Sequence, residues 1–134
     1  MLSLKVSFLT KTTSPLGVSL TPPPPPNSPW IISYIYGPPE KKNKAAFWDS
    51  LTAAGEDFVS PWLSIGDFNF VLDQFEKLGG YPVASSSHCP FKNLIDHHGL
   101  VDLGFVGNPY TWFNNRQGLA VIKERLDRAL ASLD

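Results

Sequence analysis

Pro61-Trp62-Leu63-Ser64-Ile65-Gly66-Asp67-Phe68-Asn69 is the stretch on which the reading of this chain turns. Its first five residues form a short apolar run bounded by turn-forming residues, which predicts a buried strand. In an extended backbone, side chains two apart point the same way. Asp67 and Asn69 are therefore expected to project together from the strand end. One offers an anionic oxygen, as ligand or base; the other offers a neutral amide that can donate to a phosphate oxygen. Gly-Asp-Phe-Asn is also good turn chemistry, and as an isolated tetrapeptide it reads first as a turn.

Working outward, Trp30 to Tyr36 is β-branched and aromatic and predicts a strand closed by Gly37-Pro38-Pro39. Pro39 and Glu40 suit the first turn of a helix. Phe47, Leu51, Ala54 and Phe58, with Trp48 beside them, then mark one apolar face. Lys41, Lys42, Lys44, Asp49, Glu56 and Asp57 supply the wet one. A second helix is expected from Pro90 to Gly99, with Phe91, Leu94, Ile95 and His98 on one face. Leu100 to Leu103 and Tyr110 to Phe113 read as short strands, with a turn at Asn114, Asn115 and Gly118. Val121 to Leu133 is ambiguous. Ile122, Leu126 and Leu130 are four apart and the composition favours helix, yet Leu126, Arg128 and Leu130 also alternate. Local reasoning alone gives a helix.

Upstream, Leu4, Val6 and Phe8 alternate with polar residues, as do Leu16, Val18 and Leu20, which predicts a hairpin over residues 1–21. Pro22 to Pro26 imposes a stiff polyproline stretch within a loop over 22–29. A core over 30–134 completes a single-domain, mixed α/β (α+β) chain without a regular β-α-β repeat.

Bulk properties narrow the function. At 134 residues with 43% apolar and 13% aromatic content, the chain can bury a real core. A net charge of −1 excludes a generic polyanion binder, so any nucleic-acid contact must be local or metal-mediated. The one cysteine, Cys89, rules out an internal disulfide framework and fits a reducing compartment. No stretch has the length and apolarity of a membrane span, and Met1 to Thr10 lacks the apolar run of a signal peptide. The expected setting is intracellular, nuclear or cytoplasmic, and not secreted. His88, Cys89, His97 and His98 match no standard zinc finger. Adjacent histidines on a helix diverge by about 100°, so no zinc site is expected from them. Asp127, flanked by Arg125 and Arg128, reads as either an exposed ion pair or a carboxylate able to orient a histidine.

The signals occur in an informative order: Tyr36-Gly37-Pro38, Phe47-Trp48, the stretch ending Gly66-Asp67-Phe68-Asn69, then Glu76-Lys77-Leu78-Gly79-Gly80. Gly99 to Gly104, Tyr110-Thr111-Trp112-Phe113-Asn114 and Glu124 to Leu130 follow. The series resembles the endonuclease/exonuclease/phosphatase family, and most closely the endonuclease-like region of plant LINE-type (non-LTR) retrotransposons. The resemblance implies a four-layer α/β/β/α sandwich and Mg²⁺- or Mn²⁺-dependent phosphodiester cleavage, with DNA as the substrate. It implies catalytic roles for Asp67, Asn69, Tyr36 and Asp127, metal binding by Asp67, and substrate contacts from Asn69, Trp112 and Arg125. It also makes Glu124 to Ser132 a strand, and that expectation is preferred to the local helix.

The chain departs from the family pattern at two points. No Asp or Glu precedes Glu40, where the family has a metal-binding glutamate, and no histidine follows His98, where it has a Ser-Asp-His motif. The expectation is a partial sandwich cut on both sides, part of a reverse-transcriptase polyprotein and inactive alone. The alternative is a non-catalytic remnant that binds nucleic acid or protein weakly.

Overall fold

A computed structural model of the chain describes residues 5–9, 30–86 and 88–132. The second half of the expected hairpin and the proline run lie outside the described residues. The chain order is β1 (Lys5–Leu9), β2 (Trp30–Tyr36), α1 (Lys41–Gly55), β3 (Trp62–Asp67), β4 (Lys77–Leu78), α2 (Pro90–His97), β5 (Leu100–Asp102), β6 (Trp112–Phe113), β7 (Lys123–Glu124) and β8 (Asp127–Ser132). Five strands form one sheet in the order β1-β2-β3-β8-β5, and β4-β7-β6 form a small second one. The fold is thus mixed α/β, with two helices and two sheets among the described residues.

The aromatic and β-branched run of β2 pairs parallel to β3, with Ile31 opposite Trp62 and Tyr36 opposite Asp67. The other neighbour of β3 is β8, antiparallel, with Ser64 opposite Leu130 and Asp67 opposite Asp127. Alternation then sorts the side chains. Ile31, Ser33 and Ile35 of β2, Trp62 and Ser64 of β3, and Arg128 and Leu130 of β8 are buried on one face. On the other, Tyr34, Tyr36 and Ile65 are exposed.

Both helices cover the buried face. Phe47, Trp48 and Leu51 of α1 and Phe91 and Leu94 of α2 join Ile31, Ile35, Trp62, Leu100 and Leu130 in one core. At its centre Trp48 stacks on Phe68 at 5.9 Å and lies 4.5 Å from Phe91, ring centre to ring centre. Aromatic groups of this size supply most of the burial in so small a core. The four-layer arrangement requires a helix layer beyond the second sheet, and none lies among the described residues. No helix of the described residues is long and apolar enough to cross a membrane.

The local helix expectation for 121–133 gives way, among the described residues, to the strands Lys123–Glu124 and Asp127–Ser132. β8 lies between β3 and β5 and supplies hydrogen bonds to both, a tertiary demand that outweighs helix propensity. The Tyr110–Phe113 strand is shorter than expected and is confined to Trp112–Phe113.

Candidate functional site

The site lies where β2 and β3 end together. Gly66 has φ +142°, and a side chain there would press its first carbon to 2.2 Å from the Ile35 carbonyl oxygen. Glycine lets β2 and β3 approach at this point. Directly after it, the Gly37 amide donates to the Asp67 carbonyl at 2.7 Å, which locks the two strand ends in register. The Phe68 amide in turn donates to Leu126 at 2.8 Å and its ring enters the aromatic core.

This anchoring changes how Asp67 and Asn69 meet. The strand stops at Asp67, and Asn69 takes a left-handed conformation with φ +47°. The expectation of two side chains projecting from one extended strand is therefore corrected. They converge through a turn in which the Asn69 amide donates to Asp67 Oδ1 at 2.8 Å. The Asn69 side-chain amide donates to the Gly37 carbonyl at 2.8 Å. One amide hydrogen of that group remains for another acceptor.

Asp127 stands opposite Asp67 across the β3–β8 pair. Side chains directly opposite in an antiparallel pair share a face, and Tyr36, next to Asp67 on β2, shares it too. Tyr36 is exposed. Burial raises the Asp67 carboxyl above its ordinary value. The Asn69 amide lowers it, the Asp127 charge raises it, and Lys44 lowers it. Two carboxylates that repel across one strand pair make a natural seat for a hard cation with oxygen ligands.

Lys44 belongs to the site although the helix pattern assigned it to the wet face. Its ammonium donates to the Asn69 carbonyl and lies 5.5 Å from the centre of the Phe70 ring. Burial pulls its pKa below the usual lysine range against the opposing charges of Glu124 and Asp67. The signal was available: Lys44 sits four residues before Trp48 and extends the buried stripe by one turn.

Arg125 and Arg128 are placed elsewhere. They do not pair with Asp127. Arg125 Nη1 lies 3.1 Å from Glu76 Oε1 and its Nη2 lies 2.7 Å from Asp102 Oδ1. Arg128 Nη1 reaches Glu76 at 2.9 Å and Asp102 at 3.2 Å. Burial alone would raise the Glu76 and Asp102 carboxyls. Hydrogen bonds from Arg128 and Leu72 to Glu76, and from Arg125 and Gly104 to Asp102, together with both arginine charges, bring them below the ordinary range. The buried Arg125 guanidinium, expected to contact substrate, is engaged with two carboxylates. Trp112 is 44% exposed on β6 opposite Glu124. Thr111, beside it, accepts the Leu126 and Asp127 amides at 3.1 Å each and so braces the start of β8.

No protein-family model and no curated protein matches the chain. Among solved structures, the chain is similar to a mannosyl-6-phosphatase from Bacteroides thetaiotaomicron VPI-5482, with TM-score 0.37 and 16% identity over 79% of this chain and 37% of that one. It is also similar to an endonuclease/exonuclease/phosphatase family protein from Bacteroides thetaiotaomicron, with TM-score 0.34 and 17% identity over 79% of this chain and 36% of that one. The chain thus spans little more than a third of the solved proteins it resembles.

Proposed function

We propose that this chain carries the central part of a metal-dependent phosphodiester hydrolase, of the retrotransposon endonuclease type, whose complete form is a four-layer sandwich. The observation that carries the reading is the convergence of Asp67, Asn69, Lys44 and Asp127 at the joined ends of β2, β3 and β8. Asp67 and Asp127 would hold Mg²⁺ or Mn²⁺; when bound, such an ion offsets phosphate charge and favours hydroxide over water. Asn69 would donate its remaining amide hydrogen to a phosphate oxygen without adding repulsion. Alternatively, with no ion on it, Asp67, its pKa raised by burial, is suited to accept a proton from an attacking water. Tyr36 borders the same face and would flank the bound strand of DNA.

Two groups of the family pattern are absent from these residues, a metal-binding glutamate ahead of Tyr36 and a histidine beyond Asp127. Members of a coupled catalytic set fail together, so the chain by itself would bind more readily than it cleaves. A non-catalytic binding module is the second reading. It is favoured by the tie between the Asn69 side chain and the Gly37 carbonyl, a structural use of that amide.

The test is Mn²⁺ titration of wild type, Asp67→Ala and Asp127→Ala, with supercoiled plasmid nicking followed in parallel. The expected result is a Mn²⁺ site lost in both variants, with wild-type nicking near background. Mn²⁺ binding indifferent to both substitutions would overturn the reading. Nicking abolished by Asp67→Ala and Asn69→Ala would show a chain active without the missing groups.

A further inference from the structure

Three side chains gather at the C-terminal ends of the two helices, at the opposite end of α1 from Lys44. Glu56 caps the C-terminus of α1, His97 is the last residue of α2, and His98 caps it. One metal-ligating atom from each lies within 4.8 Å of the others. His97 Nε2 meets Glu56 Oε1 directly. The His97 and His98 rings meet edge to face with centres 4.8 Å apart. The divergence expected of neighbouring helical residues does not apply, because the helix ends between them and His98 has φ −94° and ψ 5°.

Chemistry favours a cation here on two further counts. Both helices present their C-terminal ends, the negative pole of the peptide dipoles, to this spot. His98 Nε2 lies 2.8 Å from the Thr52 carbonyl oxygen. A carbonyl can only accept, so Nε2 carries the proton and the lone pair of the neutral ring is at Nδ1. A ring tethered to a backbone carbonyl in this way is the usual arrangement of a metal-binding histidine. Glycine at 55 makes it possible, since a side chain there would come within 2.7 Å of the His98 ring.

We propose that Glu56, His97 and His98 form a zinc site that clamps the C-terminal ends of α1 and α2. Two imidazoles and one carboxylate are a zinc donor set that leaves a fourth position open. Ligands about 2 Å from one ion stand about 3–4 Å apart, within reach of small rotations of the exposed Glu56 and His97 side chains. His98 also lines a cavity of about 350 Å³ with Gly55, Phe58, Trp62 and Ser132, which leaves room beside the site for coordinated water.

The experiment is titration of the purified chain with Zn²⁺ by calorimetry, and with Co²⁺ by visible absorption, together with thermal melts. One saturable site with a tetrahedral Co²⁺ spectrum is expected, and Zn²⁺ should raise the melting temperature. Glu56→Gln, His97→Ala and His98→Ala should each weaken Zn²⁺ by at least about 10-fold and remove the thermal shift. Glu56 and His97 are 58% and 52% exposed, so their variants should fold, as circular dichroism will show. Absence of a saturable site, or affinity unchanged in both Glu56→Gln and His97→Ala, would overturn the proposal. Glu56→Gln and His97→Ala should keep the Mn²⁺ binding that Asp67→Ala removes, which separates failure of this site from failure of the Asp67 reading.

Discussion

Asp67 and Asp127 face each other across the antiparallel pairing of β3 and β8, two carboxylates in one row with no arginine between them. The arginines that flank Asp127 in sequence turn to the opposite face and are neutralised there by Glu76 and Asp102. The strand thus separates charges that its sequence interleaves.

Asp67→Asn is expected to stabilise the fold at neutral pH. The Asp67 pKa is raised in the folded state above about 3.8. The folded protein therefore prefers the protonated form. That contribution is fully present below the unfolded pKa and is lost as pH rises through the folded one. Asparagine keeps an acceptor for the Asn69 amide and removes the charge. The variant should melt above wild type at pH 7, and the gap should close towards pH 3.

The carboxylates of the arginine network should behave in the opposite sense. Folded Glu76 and Asp102 titrate below their ordinary values near 4.5 and 3.8. Their contribution is present above those values and is lost as pH falls through the depressed folded ones. Stability to urea should drop steeply on acidification through this region, and Glu76→Gln should blunt the dependence. Because Arg128 is buried, Glu76→Gln should also cost about 3–5 kcal/mol at neutral pH.

Trp48→Ala should be among the most damaging core changes. Trp48 is fully buried between Phe47, Phe68 and Phe91. Truncation of such a residue costs about 3–5 kcal/mol. Denaturant midpoints will measure it, and Tyr36→Phe, an exposed change on the open sheet face, should leave them within about 0.5 kcal/mol.

Gly66→Ala should disrupt the β2–β3 junction. Its first side-chain carbon would collide with the Ile35 carbonyl, and φ +142° is strained for any other residue. A loss of at least about 1–3 kcal/mol is expected. Chemical shifts of the Asn69 amide should move with it, because the turn is built on the same junction.

Much of the fold was legible residue by residue. The β-branched composition of Trp30–Tyr36, the apolar stripe Phe47-Trp48-Leu51 and Pro90 at the head of α2 each act locally, so local reading found them. Residues 127–132 were not legible by propensity. The partners that make Arg128 tolerable inside a sheet, Glu76 and Asp102, lie 52 and 26 residues away. The Asp67–Asn69 association was legible both as a pair and as turn chemistry, but not that the turn itself would bring the two side chains together, because the left-handed Asn69 accompanies the anchoring of Phe68 to Leu126. Lys44 was readable from its spacing to Trp48, but its charge assigned it to the wet face. Glu56 was hidden by the 41 residues between it and His97.

The ion cluster has a mechanical side as well. Glu76 comes immediately before the first strand of the small sheet and Arg128 belongs to the large one, while the Arg125 amide also donates to the Glu76 carbonyl at 2.9 Å. Glu76, Arg125, Arg128 and Asp102 are a rivet between two plates. Acid would loosen the rivet before it melts the aromatic core, so amides of the three short strands should begin to exchange with solvent while those of α1 and β3 are still protected.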